Sequence, residues 1–188
     1  DASFAPEVVS HGLARKLGVK VPEVIWYEHR YEPLHRSVMV ITEAPGYPLS
    51  ESQHLSRAEL DAVLSEAGKD LACINSIPVE GFGWLDRDGS NMTLRAPELN
   101  YRAFALGQRD ADLTFLAACE TLSCAEIERL RQTIIWYDHW LESGGAVLAH
   151  GDFDVTAIYQ REGRYTGIID FGEARGAPRW YDLAHYHM

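Results

Sequence analysis

Two apolar runs that each end in an aspartate lie within residues 147–173 and constrain the fold more than any other feature of this chain. One run leads into His150-Gly151-Asp152, and the other, residues 165–169, leads into Asp170. Groups at the ends of buried segments are held on a rigid support. We therefore expect both carboxylates to face one cleft. There one could receive the proton of a hydroxyl and the other could hold a metal ion, as phosphoryl transfer requires.

These segments resemble the aminoglycoside phosphotransferase family, relatives of the protein kinases that phosphorylate small hydroxylated molecules. The family pattern is H-G-D, then I-D-F/W-G/E after a strand pair, then G-x-P-x-x-D-L-A. The chain contains His150-Gly151-Asp152, Ile169-Asp170-Phe171-Gly172 and a matching run at residues 176–184, in that order. Three motifs in the right order are far more specific than one. The resemblance extends from a helix around Glu7 to Ala184.

The resemblance implies an α+β, protein-kinase-like fold with two lobes. Residues 1–44 would form a partial N-terminal nucleotide-binding lobe with the hinge, and residues 45–188 a mostly helical C-terminal catalytic and substrate-binding lobe. ATP or GTP and Mg²⁺ are the implied cofactors. The family places a glycine-rich segment and a strand lysine upstream of Glu7, and neither precedes it in this sequence. We expect a fragment of a longer protein that binds nucleotide weakly by itself.

Periodicity and turn residues predict the elements. A helix is expected over residues 4–17, followed by an antiparallel strand pair at residues 23–28 and 37–42. Capping boxes at Ser56 and Ser123 predict two amphipathic helices, the second extending to Leu141. Residues 97–119 are expected to form one or two more helices, and residues 146–170 short β segments. The three cysteines, Cys73, Cys119 and Cys124, are interpreted as reduced core thiols.

The resemblance implies separate roles for four residues of the cleft. Asp152 would position and deprotonate the acceptor hydroxyl, and Asp170 would hold Mg²⁺, which binds few protein carboxylates. His150 would pack in the loop and orient the Asp152 carboxylate, while Asp182 would brace the loop through backbone hydrogen bonds. Without the resemblance, Asp152 and Asp170 would each be interpreted as an aspartate that caps a turn.

On the nucleotide side, the resemblance places the hinge at Ile41-Thr42-Glu43-Ala44. The Thr42 carbonyl and the Ala44 amide would bind the edge of the base, with Ile41 at the back of the pocket; the alternative is a plain strand end. Glu7 would pair with the phosphate-orienting lysine. The alternative for Glu7 is a solvated or N-terminal-turn glutamate favoured by the helix dipole.

Ala157 departs from the family pattern, which has a metal-binding Asn or His at this position. A methyl group cannot bind a cation, so water, Asp170 or Asp154 would have to replace the missing ligand. This departure keeps open a non-catalytic kinase-like binding protein. A metal-dependent hydrolase that uses His150 and Asp152 is disfavoured because no further histidines lie nearby in the sequence. His185 and His187 are interpreted as a chance surface pair.

The net charge of −11 argues against a nucleic-acid partner and would suit a cationic small molecule or a metal–nucleotide complex. The alternative is that the acidic charge only keeps the protein soluble. We expect a hydroxylated acceptor, with an aminoglycoside or related antibiotic as the first guess. Asp154 and Glu173 are candidate substrate contacts, alongside Asp110 and Asp112, although each could be a solvated carboxylate. The sequence has no apolar run of about 20 residues and no signal segment, which predicts no membrane association and a cytoplasmic location.

Overall fold

The first lobe consists of one helix packed beside a two-stranded sheet. A computed structural model describes residues 3–52, 54–88 and 92–187. Helix α1 spans Ala5–Lys16, and strands β1 (Val24–Tyr31) and β2 (Arg36–Ile41) pair antiparallel, with Val24 opposite Ile41. The predicted helix and strand pair are therefore confirmed. Gly18 follows the helix with φ of +83°, a conformation that glycine adopts without strain.

The second lobe is mostly helical, and both predicted capping boxes form. Ser56 caps α2 (Arg57–Ile74) and Ser123 caps α5 (Cys124–Tyr137), each through reciprocal bonds with the glutamate three residues later. Helix α5 ends four residues before Leu141, because the last turn tightens into a 3-10 helix over Asp138–Leu141. The remaining helices are α3 (Tyr101–Leu106), α4 (Arg109–Ala118) and α6 (Tyr181–His187).

Two small antiparallel sheets hold the segments that carry the aspartates. One sheet has the order β3 (Tyr47–Pro48), β6 (Ile158–Arg161), β7 (Arg164–Ile168), and the other has the order β4 (Gly83–Trp84), β8 (Arg175–Ala177), β5 (Val147–Ala149). Strand β5 ends immediately before His150, and β7 ends two residues before Asp170. The predicted β segments of residues 146–170 are thus confirmed.

The core lies between α2 and these sheets. Val63, Ala67, Leu71 and Ile74 form the buried face of α2, and this face contacts β7. The cysteine prediction is half wrong: the thiols are free, but Cys119 and Cys124 are exposed because they flank the surface turn between α4 and α5. Within the described ranges, no helix is long and apolar enough to cross a membrane.

Candidate active site

The loop that follows β5 presents Asp152 to solvent. His150 and Gly151 are buried, whereas half of the Asp152 side chain is exposed. Gly151 has φ of +90°, and a Cβ atom at this position would lie 1.9 Å from the Glu173 carbonyl oxygen. Only glycine therefore fits between the two loops.

Asp182, at the start of α6, holds the backbone of this loop. Its Oδ2 accepts hydrogen bonds from the His150 amide (2.9 Å) and Asn75 Nδ2 (2.8 Å), and its Oδ1 accepts one from the Gly151 amide (2.9 Å). Asp182 is fully buried. The contact is the one that the resemblance implies for Asp182, and its importance for catalysis stays a prediction.

We expect Asp182→Ala to lower the free energy of unfolding by about 3 kcal/mol or more, because three buried donors would lose a charged acceptor. Urea unfolding measures this change. Asp61→Ala is the control, because Asp61 is exposed on α2 and, among the described residues, pairs only with the exposed Arg57, so its loss should cost less than about 1 kcal/mol. An Asp182→Ala variant as stable as the control would contradict the brace.

His150 joins the Asp152 loop to the segment that carries Asp170. Its Nε2 donates to the Ile169 carbonyl at 2.8 Å, and its ring packs 4.9 Å from the ring of Phe171. Burial lowers the pKa of His150, against the opposing effects of the Ile169 hydrogen bond and the Asp182 charge. The imidazole is thus neutral with its proton on Nε2, and Nδ1 is a buried atom without a partner in the described structure.

Stability should fall as the pH drops from 7 to 5. Burial also lowers the pKa of His11, so both histidines take up protons at a lower pH in the folded state than in the unfolded state, where their pKa is near 6.5. Because the unfolded state then binds more protons, the free energy of unfolding falls with pH, by up to about 1.4 kcal/mol per pH unit for each histidine. The carboxyl groups whose pKa is lowered titrate below 4.5, outside this window.

Urea unfolding at pH 5, 6 and 7 checks this expectation. His11→Asn should flatten the pH dependence, whereas His54→Asn, at an exposed residue, should leave it unchanged. A wild-type midpoint that is constant between pH 5 and 7 would contradict the neutral assignment.

Asp170 sits in a left-handed backbone conformation, with φ of 68° and ψ of 72°. Its Oδ1 accepts a hydrogen bond from the Gly172 amide at 3.2 Å, and the residue is exposed. Aspartate and asparagine are among the few non-glycine residues that tolerate this conformation. The turn directs the carboxylate into a cavity of about 540 Å³ between the lobes, next to the buried Phe171.

The same cavity brings together the residues predicted to bind nucleotide. Glu7, Ile41, Thr42, Ala44 and Asp170 all line it, although they come from distant parts of the chain. The Thr42 amide donates to the Glu23 carbonyl (2.9 Å), and the Thr42 hydroxyl accepts from the Glu23 amide (2.9 Å). Within the described part of the chain, the Thr42 carbonyl and the Ala44 amide have no such partner, which leaves them available to a ligand.

Glu7 lies in the first turn of α1, as the alternative interpretation expected, but it is buried, so the part of that interpretation that made it solvated is wrong. It is 4% exposed, and its Oε1 pairs with Arg87 Nη1 at 2.7 Å. Arg87, the partner of the cavity residue Glu7, lies outside the predicted set of site residues. No local pattern marks it, because the two residues lie 80 positions apart.

Comparison with known protein families shows which family this chain belongs to. The family described as APH, phosphotransferase enzyme family, matches residues 3–188. The chain belongs to this phosphotransferase family. The recognition made from the sequence motifs is confirmed. None of the curated proteins matches significantly.

Solved structures of aminoglycoside phosphotransferases share the fold. A thermostable mutant of APH(4)-Ia in ternary complex with ADP and hygromycin B is 20% identical, with a TM-score of 0.72, and the match covers 98% of this chain and 60% of that one. The gentamicin–APH(2'')-IIa complex is 20% identical, with a TM-score of 0.58, over 95% of this chain and 57% of that one. The predicted α+β, protein-kinase-like fold with a partial first lobe is confirmed, and the chain spans about 60% of the length of these relatives.

In this member of the family, Ala157 is packed into the loop before β6. It is 4% exposed, and its carbonyl accepts a hydrogen bond from the Ile169 amide at 3.0 Å. Ala157, where the family pattern has a metal ligand, is thus hydrogen-bonded to the residue that immediately precedes Asp170. Asp154 turns Oδ1 back onto its own loop, where the Thr156 amide (2.6 Å) and hydroxyl (2.5 Å) donate to it. That oxygen is therefore occupied.

Glu173 and His185 have contacts that bear on the candidate acceptor side. Glu173 pairs with Arg175 Nη2 at 3.0 Å, although half of its side chain stays exposed. His185 Nε2 lies 3.2 Å from Asp152 Oδ1, a contact that the interpretation of His185 and His187 as a chance surface pair did not include. The signal that could have found it is its spacing of three from Asp182, which puts both side chains on the same face of α6.

The donor set suits a cation bound together with a nucleotide rather than one enclosed by protein. Among the described residues, no group of three or more His, Cys, Asp or Glu side chains could hold a metal ion. The Asp170 carboxylate lines an open cavity and offers hard oxygen donors. Mg²⁺ takes most of its ligands from phosphate and water and needs only one or two carboxylates.

Proposed function

We propose that this protein transfers the terminal phosphate of ATP or GTP to a hydroxyl group of a small molecule. The observation that carries this proposal is the cavity lined by the free hinge groups of Thr42 and Ala44 and by Asp170. The His150–Ile169 hydrogen bond ties that cavity to the loop of Asp152. The division into residues 1–44 and residues 45–188 belongs to this proposal, with the nucleotide between the two lobes.

Each residue would have one task. The Thr42 carbonyl and the Ala44 amide would bind the base against Ile41, and Asp170 would hold Mg²⁺, which neutralises the phosphate charge when bound. Asp152 would accept the proton of the acceptor hydroxyl and hold it in line. Asp152 has the exposure that this task needs, since half of its side chain is free to solvent.

We propose an aminoglycoside or a related cationic antibiotic as the acceptor, so that the protein would confer resistance. The relatives of known structure include complexes with hygromycin B and gentamicin. The net charge of −11 favours a cationic substrate. Glu173 and Asp154 lie near Asp152 and are candidates for contacting the amines of the acceptor. Dependence on a nucleoside triphosphate implies a cytoplasmic location.

The direct test is a transfer assay on the purified full-length protein with Mg²⁺, ATP or GTP, and a panel that includes hygromycin B, gentamicin and neutral sugars. We expect nucleotide consumption that depends on an aminoglycoside, and a product heavier by one phosphate in mass spectrometry. Binding of Mg²⁺–nucleotide without transfer to any acceptor would contradict the enzyme and support a non-catalytic kinase-like binding protein, the alternative that Ala157 favours.

A further inference from the structure

Arg87 bridges three segments that meet at the rim of the nucleotide cavity. Its Nη1 donates to Glu7 Oε1 (2.7 Å) and to the Ser3 carbonyl (3.2 Å), and its Nη2 donates to the Gly172 carbonyl (2.6 Å). The Arg87 side chain is 26% exposed and that of Glu7 is 5% exposed, so the ion pair is largely shielded from water. Arg87 comes from the loop after β4, in the second lobe.

Gly172 is the link between Arg87 and the candidate metal ligand. Its carbonyl accepts from Arg87, and its amide donates to Asp170 Oδ1 at 3.2 Å. A chain of contacts therefore runs from Glu7 on α1 through Arg87 to the Gly172 carbonyl, and the Gly172 amide, in the preceding peptide unit, continues it to the Asp170 carboxylate. Glu7, Asp170 and Gly172 all line the cavity, so this chain follows one of its walls.

A second contact joins the same helix to the same loop. The rings of His11 on α1 and Phe171 lie 5.0 Å apart, and Phe171 is buried. The packing of these rings fixes the distance between α1 and the loop, whereas the guanidinium fixes the orientation of the Gly172 peptide. A planar fork with several donors can satisfy a carboxylate and a carbonyl at once, which a single ammonium cannot do with the same geometry.

We propose that Arg87 is a positioning residue that clamps the Asp170 loop to α1 and thereby sets the affinity of the site for Mg²⁺ with nucleotide. The inference rests on the proposed function, because it concerns the same cavity. Partners that orient a metal ligand contribute about tenfold to hundredfold in metal affinity. The acceptor side, which is formed by the Asp152 loop and α6, is not part of the clamp.

The experiment titrates Mg²⁺ into the full-length protein with the fluorescent nucleotide mant-ATP, and it also measures KM for the acceptor. We expect Arg87→Met to raise the Mg²⁺ midpoint at least about tenfold and to leave the acceptor KM unchanged. The Mg²⁺ midpoint of Arg87→Lys should be nearer to that of Arg87→Met than to that of the wild type. Arg95→Met is the matched control, because Arg95 is exposed and lies 3.8 Å from Glu80, away from the cavity.

The outcomes separate the clamp from the function. A wild-type Mg²⁺ midpoint in Arg87→Met would overturn the clamp alone. If Arg87→Met does not fold, Arg87→Lys decides: a raised midpoint supports the clamp and a wild-type midpoint overturns it. A folded wild-type protein that binds no Mg²⁺–nucleotide would overturn the proposed function and, with it, the role of the clamp.

Discussion

Asp152→Asn is expected to lower kcat about a thousandfold while nucleotide binding and stability remain close to those of wild type. A positioned general base contributes roughly 10²–10⁴-fold, and an amide cannot take a proton from the acceptor hydroxyl. The substitution preserves shape, and the amide oxygen can still face His185 Nε2, which lies 3.2 Å from Asp152 Oδ1 in the wild type. Since half of the side chain is exposed, the fold does not depend on its charge.

Initial-rate and single-turnover measurements with the aminoglycoside that the wild type prefers would quantify this loss, with mant-ATP binding as the check on the nucleotide site. Asp61→Asn is the control, because it removes an exposed carboxylate of α2 that does not line the cavity. An Asp152→Asn variant within tenfold of wild-type kcat would show that another group receives the proton, and the assignment of Asp152 would fail.

Asp170→Asn should reduce kcat/KM at least about a hundredfold and abolish the strengthening of nucleotide binding by Mg²⁺. Removing the carboxylate charge loses several kcal/mol of transition-state stabilisation if it is the protein ligand of the metal. Asparagine is preferable to alanine here, because φ is 68° at this residue and the amide oxygen can still accept from the Gly172 amide. The expected loss therefore reports on charge rather than on a distorted turn.

The measurement compares Mg²⁺ titrations of mant-ATP binding and steady-state rates for wild type, Asp170→Asn and the Asp61→Asn control. A variant that still needs Mg²⁺ with an unchanged midpoint would contradict the metal assignment even if its rate were low. Asp152→Asn should keep the Mg²⁺ dependence that Asp170→Asn loses. This contrast tests the division of tasks between the two carboxylates.

Local patterns predicted the elements whose stability is local. The capping boxes at Ser56 and Ser123 each satisfy helix amides with a side chain three residues away, so they can be identified within a few residues of sequence. The two-residue strands β3 and β4 were not predicted, because pairs such as Tyr47 with Gln160 are too short to show periodicity and depend on distant partners.

The candidate site likewise contains residues that local sequence motifs identify and residues whose contacts are distant in sequence. The motifs around Asp152 and Asp170 could be identified because they are contiguous, and their family resemblance supplied roles that no spacing rule contains. The partners of Arg87 and His185 could not be assigned from sequence alone, although the spacing of His185 from Asp182 indicates which face of α6 it occupies. Their contacts with Glu7 and Asp152 span 80 and 33 positions and exist only once the lobes and α6 have packed. The roles of all these residues in catalysis stay predictions until the variants are measured.

The position of Asp182 also has a consequence for biosynthesis. This carboxylate lies 32 residues after His150 and 107 residues after Asn75, yet it bonds to both. A nascent chain on the ribosome can form α2 and the first β segments early, but the His150–Asp152 turn lacks its acceptor until residue 182 has emerged. Long-range contacts of this kind form late because closing the intervening loop costs entropy. The Asp152 carboxylate would therefore be set in place only after α6 has docked, later than α2 and the first β segments.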